Sequence, residues 1–329
     1  MSVRDVVLHQ LANVEGDFIS GEELAAELGV SRAAVWKAVQ RLQEEGYAIS
    51  GTRNRGYALD GVHDLLTECG IREALDSQGM NDAQFILKDV TGSTNDDARE
   101  LVARGAPEFT TVIASSQTGG KGRRGRAFYS PSDAGVYLSI IVRPRLQLSD
   151  AWMLTGAAAV AVCNAIGDTI GESAQIKWVN DVYFHNRKVC GILTEGVADL
   201  ESGGLTHAIV GIGVDVYEPR GGYPEEIAGK AGFLSDERKG NLRNQVAASV
   251  VAHFAKLYKL GDPASLVGAY QSLSMMPGKC IMVERAAGES RSAVAEQVND
   301  DMSLRVRYED GIVEDLKTGE VSIVMEHEG

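Results

Sequence analysis

The chain has 329 residues, a formal net charge of −14 and a hydrophobic content of 44%. This length is more than one hydrophobic core usually serves and predicts two or three domains, while the negative charge excludes indiscriminate binding of nucleic acid over the whole surface. The four cysteines and six histidines show no C-x-x-C pair and no H-x-x-x-H spacing, so neither a disulfide framework nor a metal site is predicted.

The compartment is inferred from the apolar segments. The apolar run from Ala151 to Ile166 is shorter than the ~20 residues that span a bilayer, and it therefore predicts a buried helix. The first residues show no apolar signal core. We therefore expect a cytoplasmic protein without a membrane partner.

Residues 1–60 predict three helices followed by a hairpin. Apolar residues at helical spacing mark the first helix, Val3 to Leu11. Ser20 opens a capping box before the second helix, and Ser31 caps the third. The hairpin that follows has a basic tip, Arg53-Asn54-Arg55.

Together these elements form a winged helix-turn-helix, whose second paired helix reads the major groove of DNA. Residues 1–60 hold six cations and nine anions, which does not favour DNA. The cations concentrate, however, on the third helix and the wing, where phosphates and base edges would be met. The alternative is a module that binds only protein. The candidate DNA-binding residues are Ser31, Arg32, Trp36, Lys37, Gln40, Arg41, Arg53 and Arg55.

From residue 84 onward, strands alternate with helices. The segment Phe85–Val90 predicts a strand, which turns through Ser93, Thr94 and Asn95 into a helix. These three side chains either cap that helix or bind a small polar ligand at its N-terminus. Both interpretations stay open at this point.

A cationic, glycine-rich loop follows the next predicted strand. Residues 117–126 place four cations among four glycines, a composition suited to a phosphate or carboxylate. Gly120, Gly122 and Gly125 match G-x-G-x-x-G, but no helix opens there, so a dinucleotide fold is not predicted. The alternative is a solvated basic loop. Without an anion we expect the loop to repel itself and stay mobile.

Two lysines and an aspartate mark a predicted hairpin. Its strands are Lys177–Phe184 and Lys188–Glu195. A lysine in a strand is commonly an edge residue. Here Lys177, Asp181 and Lys188 follow the cationic loop, and together they indicate a site for anionic chemistry.

The remaining chain predicts one more strand, two helices and a small barrel. The strand His207–Tyr217 carries Gly211 and Gly213, which allow close approach of another backbone or a ligand. After helices at Asn241–Leu260 and Asp262–Leu273, short alternating segments predict the barrel. It either serves the site or is a structural cap.

Several ordered motifs resemble the family of bifunctional bacterial biotin ligases and biotin operon repressors. They are Ser93-Thr94-Asn95, residues 117–126, Lys177-Trp178-Val179-Asn180-Asp181, Lys188–Leu193 and the Gly211/Gly213 strand, behind the winged helix. The resemblance implies an α+β multidomain chain. Its parts would be a winged helix-turn-helix at 1–62, an α/β class II synthetase-like biotin ligase catalytic domain at 63–275, and an SH3-like β-barrel at 276–329.

The resemblance also implies two activities. The ligase would form biotinyl-5′-AMP from biotin and ATP, with Mg²⁺ accompanying the ATP. It would then transfer biotin to a lysine of the biotin carboxyl carrier protein of acetyl-CoA carboxylase. The same chain would repress biotin genes on operator DNA, as a homodimer that forms when its corepressor, the adenylate, is bound.

Roles for individual residues follow from the resemblance alone. Lys188 would neutralise the carboxylate and α-phosphate as charge develops. Lys177, Asp181 and Arg123 would complete the catalytic set, with Asp181 orienting or deprotonating the acceptor lysine. Biotin and the adenylate would be held by Ser93, Thr94, Asn95, Gln117, Gly120, Lys121, Gly122, Arg123, Arg124, Gly125, Lys188, Gly191, Gly211 and Gly213.

Three positions depart from the family pattern, and two rival functions remain. Lys121 stands where arginine is usual, Val179 where proline is usual, and Asp215 where asparagine is common. None of these changes removes a reacting group, but they leave adenylate affinity and retention undetermined. The rivals are a lipoate-type ligase, which shares the catalytic fold, and a transcription factor that senses the adenylate with weak or lost ligase activity.

Overall fold

The computed structural model describes residues 2–14, 16–44, 47–60, 64–199, 201–238, 240–284, 290–317 and 320–323. The α-helices are α1 (Val3–Asn13), α2 (Gly21–Glu27), α3 (Arg32–Glu44), α4 (Glu68–Ser77), α5 (Thr94–Ala103), α6 (Trp152–Ile170), α7 (Glu225–Ala228), α8 (Leu242–Leu260) and α9 (Pro263–Leu273). The strands are β1 (Ile49–Thr52), β2 (Gly56–Leu59), β3 (Phe85–Thr91), β4 (Thr111–Gln117), β5 (Gly135–Val142), β6 (Gln175–Lys177), β7 (Asp181–Phe184), β8 (Arg187–Ala198), β9 (Leu205–Asp215), β10 (Cys280–Glu284), β11 (Ser290–Val298), β12 (Leu304–Tyr308), β13 (Val313–Leu316) and β14 (Glu320–Ile323).

The N-terminal helices and hairpin are confirmed. Ser20 Oγ accepts the Glu23 amide at 3.0 Å, and Ser31 Oγ accepts the Ala34 amide at 3.2 Å, so both predicted caps are formed. The strands β1 and β2 pair antiparallel, with Ile49 opposite Leu59. Buried side chains of α1, α2, α3 and the hairpin make a core of their own. That core fixes the outward face of α3.

The sequence from Asp60 to about Gly70 suggests a linker, followed by a short helix around Ile71–Leu75. This predicted linker is too long. Helix α4 already begins at Glu68, because Thr67 caps it by accepting the Gly70 amide at 3.0 Å. Residues 61–63, where the first domain boundary was predicted, lie outside the described residues. The second predicted boundary, between residues 275 and 276, falls between α9 and β10.

The centre of the molecule is a seven-stranded mixed sheet in the order β3-β4-β5-β9-β8-β7-β6. Only β3 and β4 run parallel among its neighbours; the other pairs are antiparallel. One face packs against α6 and α8, and the other face carries α5. The sheet therefore has one fully covered face and one partly open face.

Helix α6 confirms the predicted buried helix. The most apolar 18-residue stretch of Leu148–Ile170 has a mean hydropathy of 1.4, and the segment could cross a membrane by length and composition. However, 61% of its most apolar stretch is buried inside the protein. It is the core helix under the central sheet.

The prediction of one continuous strand from Lys177 to Phe184 is wrong. Strand β6 ends at Lys177 and β7 begins at Asp181, with a cis peptide between Trp178 and Val179. Asn180 holds the turn against β8, since its Nδ2 donates to the Ile192 carbonyl at 2.8 Å and its carbonyl accepts the Ile192 amide at 3.0 Å. The turn places Asp181 directly opposite Lys177 at the end of β6.

The C-terminal strands form an antiparallel sheet in the order β13-β12-β11-β10-β14. Its buried side chains belong to the same hydrophobic core as those of the central sheet. The indole nitrogen of Trp178 donates to the Met302 carbonyl at 2.7 Å across this contact. Closure of the strands into a barrel stays a prediction. The last of the short segments predicted from sequence is Val321–Val324, and Val324 lies outside the described residues.

Candidate active site

Glycine residues of neighbouring strands line part of the open face of the central sheet, and this part is called the glycine floor. On β9, Gly211, Gly213 and Asp215 share one face, because strand side chains alternate. The intervening residues Ile212 and Val214 point into the hydrophobic core. A side chain is therefore missing from this face at two successive outward positions, and Asn95 occupies the space over Gly211 while Phe128 occupies the space over Gly213.

Neighbouring strands extend this floor. Gly213 pairs with Gly191 on β8 and with Tyr137 on β5. A Cβ atom on Gly213 would lie 2.4 Å from Phe128 Cε1, and one on Gly191 would lie 2.9 Å from Phe128 Cε2. The Phe128 ring thus rests directly on both glycines, where no larger residue fits.

A β-bulge turns Lys188 onto the same face. Between β7 and β8 the register passes from Val182 opposite Cys190 to Tyr183 opposite Lys188, which skips Val189. An extra residue in one strand reverses the facing of those that precede it. Lys188 Nζ consequently lies 2.6 Å from Asp181 Oδ1, so two predicted catalytic residues meet.

A buried polar network lies beside the glycine floor at the start of α5. Ser139 Oγ lies 2.8 Å from Thr94 Oγ1 and 2.6 Å from Asn95 Oδ1. Gln117 Oε1 accepts the Thr94 amide at 2.9 Å, and Gln117 Nε2 donates to Ser130 Oγ at 2.9 Å. These bonds fix which amide and hydroxyl atoms face the site.

The same geometry separates the two interpretations of the Ser93-Thr94-Asn95 segment. Ser93 is the N-cap of α5, but its side chain makes no capping hydrogen bond within the described residues. Asn95 Nδ2 instead donates to Glu195 Oε2 at 2.7 Å, across the sheet face. The arrangement therefore resembles a binding network more than a simple helix cap.

The cationic loop folds over this network. Gly122 N donates to the Arg126 carbonyl at 2.7 Å, and Phe128 N donates to the Gly120 carbonyl at 2.9 Å. A Cβ atom on Gly120 would lie 2.4 Å from the Phe128 carbonyl oxygen, so glycine is required there. Arg124 is exposed at φ 55°, beside Gly125 at φ 74°. Whether the loop stays mobile without an anion remains a prediction.

Protein carboxylates and amides hold the cations around the site. Lys121 Nζ lies 2.6 Å from Asp96 Oδ1, and Arg123 Nη1 donates to Asn180 Oδ1 at 3.0 Å. The hydrogen bond from Lys121 keeps the pKa of Asp96 below its usual value. Lys177 stands opposite Asp181 in the β6–β7 pairing, with Nζ 5.8 Å from the Tyr183 ring centroid. An anionic ligand would compete for these cations.

Asp215 is the buried acid of this face. Burial raises its pKa to about 8, and the charge of Lys188 opposes that rise only in part. A carboxyl group with this pKa is largely protonated at neutral pH. Asp215 therefore offers a hydroxyl donor and a carbonyl acceptor, much as the more common asparagine offers an amide.

The predicted DNA-binding residues lie on a separate surface. All eight are exposed. Trp36 on α3 has 53% of its surface exposed, and the Arg55 guanidinium carbon lies 4.3 Å from the Phe18 ring centroid at the base of the wing. These exposed residues of α3 and the wing make up the candidate DNA-binding surface, and none of them belongs to the glycine floor.

Sequence reasoning missed four residues that shape the site. They are Asp96, Phe128, Ser139 and Glu195. Ser139 carried a signal, because it is a polar residue within the apolar strand β5. The other three sit in ordinary polar or aromatic contexts and become visible only through contacts in three dimensions.

Comparison with known proteins assigns both parts of the chain. Residues 88–215 match the biotin/lipoate A/B protein ligase family, and residues 4–58 match a helix-turn-helix domain family. A bifunctional ligase/repressor BirA from Bacillus subtilis is 36% identical over 259 residues, which cover 78% of this chain and 79% of that protein. The Escherichia coli protein of the same name is 29% identical over 322 residues, covering 95% and 94% of the two chains.

The solved structures agree on the fold. A biotin protein ligase from Aquifex aeolicus, in complex with biotin and ATP, superposes with a TM-score of 0.61 at 24% identity. The match covers 74% of this chain and 99% of that one. At this identity the likeness establishes the fold of the ligase part, and the residue roles rest on the geometry described above.

Proposed function

The chain belongs to the bifunctional biotin ligase/repressor family, and we propose that it joins biotin to ATP as biotinyl-5′-AMP, transfers the biotin to a carrier-protein lysine, and represses biotin genes. One observation carries the ligase proposal. The polar network of Thr94, Asn95 and Gln117 and the Lys188–Asp181 pair lie on one glycine-floored face under a cationic loop.

Biotin would lie on the glycine floor with its ureido ring at the polar network. Amide and hydroxyl groups fixed by Ser139 and Ser130 present both donors and acceptors to such a ring. The Phe128 ring, which contacts the floor at Gly191 and Gly213, would have to pack against the bicyclic part of biotin or move aside. This places the carboxylate tail toward Lys188.

Lys188 would act in both chemical steps. In the first, the biotin carboxylate attacks the α-phosphate of ATP and pyrophosphate leaves, so negative charge accumulates where Lys188 Nζ can offset it. In the second, a carrier lysine amine attacks the acyl carbon and AMP leaves. Asp181 lies 2.6 Å from Lys188 before any ligand binds. Once the phosphate draws Lys188 away, Asp181 is available to orient or deprotonate the amine.

The cationic loop would close when its cationic side chains exchange their present protein partners for the phosphates of the ligand. Lys121 pairs with Asp96 and Arg123 with Asn180 in the structure. Phosphate oxygens offer a stronger charge-assisted bond to the guanidinium than a neutral amide does. The closed loop would also keep water from the mixed anhydride. Lys177 and Arg124 would complete the cationic wall.

Mg²⁺ would arrive with the ATP rather than sit in a protein cage. The carboxylates Asp96 and Asp181 already hold lysines. A magnesium ion usually keeps several waters and binds through substrate phosphates. It would supply further charge neutralisation on the triphosphate.

A paired assay tests the ligase proposal. Pyrophosphate release is measured with biotin or with lipoate, and labelled biotin transfer is measured with an apo-carrier fragment. Biotin-dependent release followed by labelling of the carrier is expected. Lipoate-dependent release would instead identify a lipoate-type ligase, and adenylate binding without transfer would identify a sensor.

The repressor part of the proposal rests on the exposed cations of α3 and the wing. Because one winged helix covers only a half-site, we propose a homodimer that forms when the adenylate orders the central loops. Operator footprinting with and without biotin and ATP tests the coupling. Protection that is independent of both ligands would exclude it.

We also propose the three-domain division at 1–62, 63–275 and 276–329, with the C-terminal strands closing as an SH3-like barrel that helps to position ATP and the carrier protein. The protein would work in the cytoplasm, where the carrier and operator DNA are found. The shared core between the two sheets supports a fixed placement of the C-terminal strands beside the site.

A further inference from the structure

A cluster of metal-binding side chains lies far from the active site, where α1 of the winged helix meets α4. His9 comes from α1, and Cys69 and Glu73 come from one face of α4, four residues apart. One ligand atom from each lies within 4.8 Å of the others. The chain separates His9 from Cys69 by about sixty positions, and so no sequence spacing revealed the cluster.

Two contacts at one ring nitrogen of His9 require opposite hydrogen-bonding roles of that nitrogen. His9 Nε2 lies 2.9 Å from Glu73 Oε2 and also 2.9 Å from Asn13 Nδ2. The carboxylate requires an N–H at this nitrogen, whereas the amide nitrogen requires a lone pair. One neutral tautomer cannot satisfy both. Turning the Asn13 amide presents an oxygen to this nitrogen, and Nε2 can then carry either an N–H or a metal ion with Glu73 and Asn13 oxygens as neighbours.

The other ring nitrogen is held as metal-bound histidines are usually held. His9 Nδ1 lies 3.3 Å from Thr67 Oγ1, and Thr67 is itself fixed as the cap of α4. A hydrogen bond at the second ring nitrogen sets the tautomer and orientation of a ligating imidazole. His9 is 1% exposed and Thr67 is 4% exposed, so this contact is shielded from water.

The two ligands on α4 already converge. Cys69 Sγ lies 3.5 Å from Glu73 Oε1, while the other oxygen of Glu73 faces His9. Cys69 is 5% exposed, so its sulfur lies at the buried end of the pair and Glu73 at the solvent end. A divalent ion bound here would displace the thiol proton and offset the charge of both ligands. The Glu73 side chain is 53% exposed, which leaves a path of entry.

We propose that His9, Cys69 and Glu73 bind a divalent transition metal ion of the zinc class, which fastens the winged helix to α4. One nitrogen, one sulfur and one oxygen ligand suit tetrahedral Zn²⁺, with Asn13 or a water in the fourth position. The contacts of 2.9 and 3.5 Å reach the two different oxygens of Glu73, and one ligand atom from each residue lies within 4.8 Å of the others. Small side-chain rotations would bring the three atoms to the separations of about 3–4 Å that a tetrahedral site requires. Bound metal would fix the orientation of α3 relative to the central sheet.

The test uses the full chain after treatment with a chelator. Zn²⁺ affinity is measured by competition with a chromogenic indicator, and Co²⁺ serves as a spectroscopic probe of thiolate ligation. We expect one tight site per chain, a thiolate-to-cobalt absorption band, and a thermal midpoint that rises with Zn²⁺. Thr67→Val should weaken binding by about 10–100-fold, whereas Thr67→Ser should retain it.

Matched cysteine variants decide the assignment. Cys69→Ser should abolish the cobalt band, and Cys280→Ser, which removes an exposed thiol elsewhere, should leave it intact. Glu73→Gln provides a second variant at an exposed position, should Cys69→Ser fail to fold. Zinc binding of wild-type strength in both Cys69→Ser and Glu73→Gln would overturn the proposal. Absence of the thiolate band in the wild type would do so as well.

Discussion

Gly211 on β9 faces Asn95 on α5 so closely that a Cβ atom at residue 211 would lie 2.2 Å from Asn95 Oδ1. Asn95 cannot easily retreat, because Ser139 and Glu195 hold both ends of its amide. Because residue 211 has no Cβ atom, Asn95 can keep the position that forms the polar end of the proposed biotin site. Glycine at position 211 is therefore required for this orientation of Asn95.

Gly211→Ala should therefore damage biotin binding before it damages the fold. The new methyl group must push the Asn95 amide out of its network, so we expect the KM for biotin to rise by about 10-fold or more with a smaller change in kcat. Overpacking of this kind also costs about 1–3 kcal/mol of stability. Steady-state kinetics and urea unfolding measure the two effects.

Gly167→Ala on α6 is the matched control. A Cβ atom there meets nothing within 4 Å, and the residue lies inside a helix. It should leave the KM unchanged and raise the unfolding free energy by about 0.5–1 kcal/mol. A normal KM for biotin in Gly211→Ala would contradict the assignment of Asn95 to the biotin site.

Replacing Lys188 should slow the chemistry rather than the binding of biotin. Lys188→Gln removes the cation that offsets developing charge, and we expect kcat to fall by about 10²–10³-fold. Lys188→Arg should recover part of that loss, because it restores the charge with different geometry. Single-turnover adenylation and transfer are measured separately, with the exposed Lys256→Gln as the control. An unchanged rate of both steps in Lys188→Gln would remove Lys188 from the mechanism.

The raised pKa of Asp215 predicts that the stability of the folded protein depends on pH. Its pKa rises to about 8 in the folded protein because the group is buried, whereas an unfolded aspartate has a pKa of about 3.9. A raised folded pKa contributes stability that is fully present below about pH 4 and is lost as the pH rises toward 8. Asp215→Asn cannot ionise. Its thermal midpoint should exceed that of the wild type by more at pH 8 than at pH 5.

The same variant separates two effects on activity. An ionised Asp215 would repel the phosphates of ATP, so the wild-type KM for ATP should increase above about pH 8. Asp215→Asn should keep a low KM through that range. Thermal scans and ATP kinetics at matched pH values provide the readout. Parallel pH profiles for the two proteins would show that Asp215 does not titrate in this window.

The wing should contribute to DNA affinity through charge. Arg53→Gln removes an exposed cation at its tip. Each lost phosphate contact should reduce the slope of log Kobs against log salt by about 0.9 for duplex DNA. Fluorescence anisotropy over a salt series measures that slope. Arg104→Gln, which replaces an arginine directly after α5 and outside the winged helix, is the control and should leave the slope unchanged.

Much of the fold was predictable because local signals agreed with the tertiary structure. The caps at Ser20 and Ser31 are formed as predicted, and the apolar run after Ala151 became the core helix α6. The failures were local events with a tertiary cause. The break after Lys177 depends on Asn180 bonding to β8, and α4 begins early because Thr67 caps it.

The candidate site was partly predictable for a different reason. Motifs identified Thr94, Asn95, Gln117 and Lys188, but they did not indicate which face of a strand each residue occupies. The facing of Lys188 depends on a bulge, which has no sequence signature in an apolar strand. The contact of Phe128 with Gly191 and Gly213 likewise requires two segments that only folding brings together.

The hydrogen bond from the Trp178 indole to the Met302 carbonyl joins the turn before Asp181 to the last third of the chain. Tyr270 adds a second tie, since its hydroxyl donates to the Val179 carbonyl at 3.0 Å. Excising the C-terminal strands would remove the Met302 contact from the segment that leads to Asp181 and leave the tie to Tyr270 on α9. We expect a chain without these strands to lose catalytic activity. An exchange of the C-terminal strands between homologues would also have to exchange the turn at Trp178.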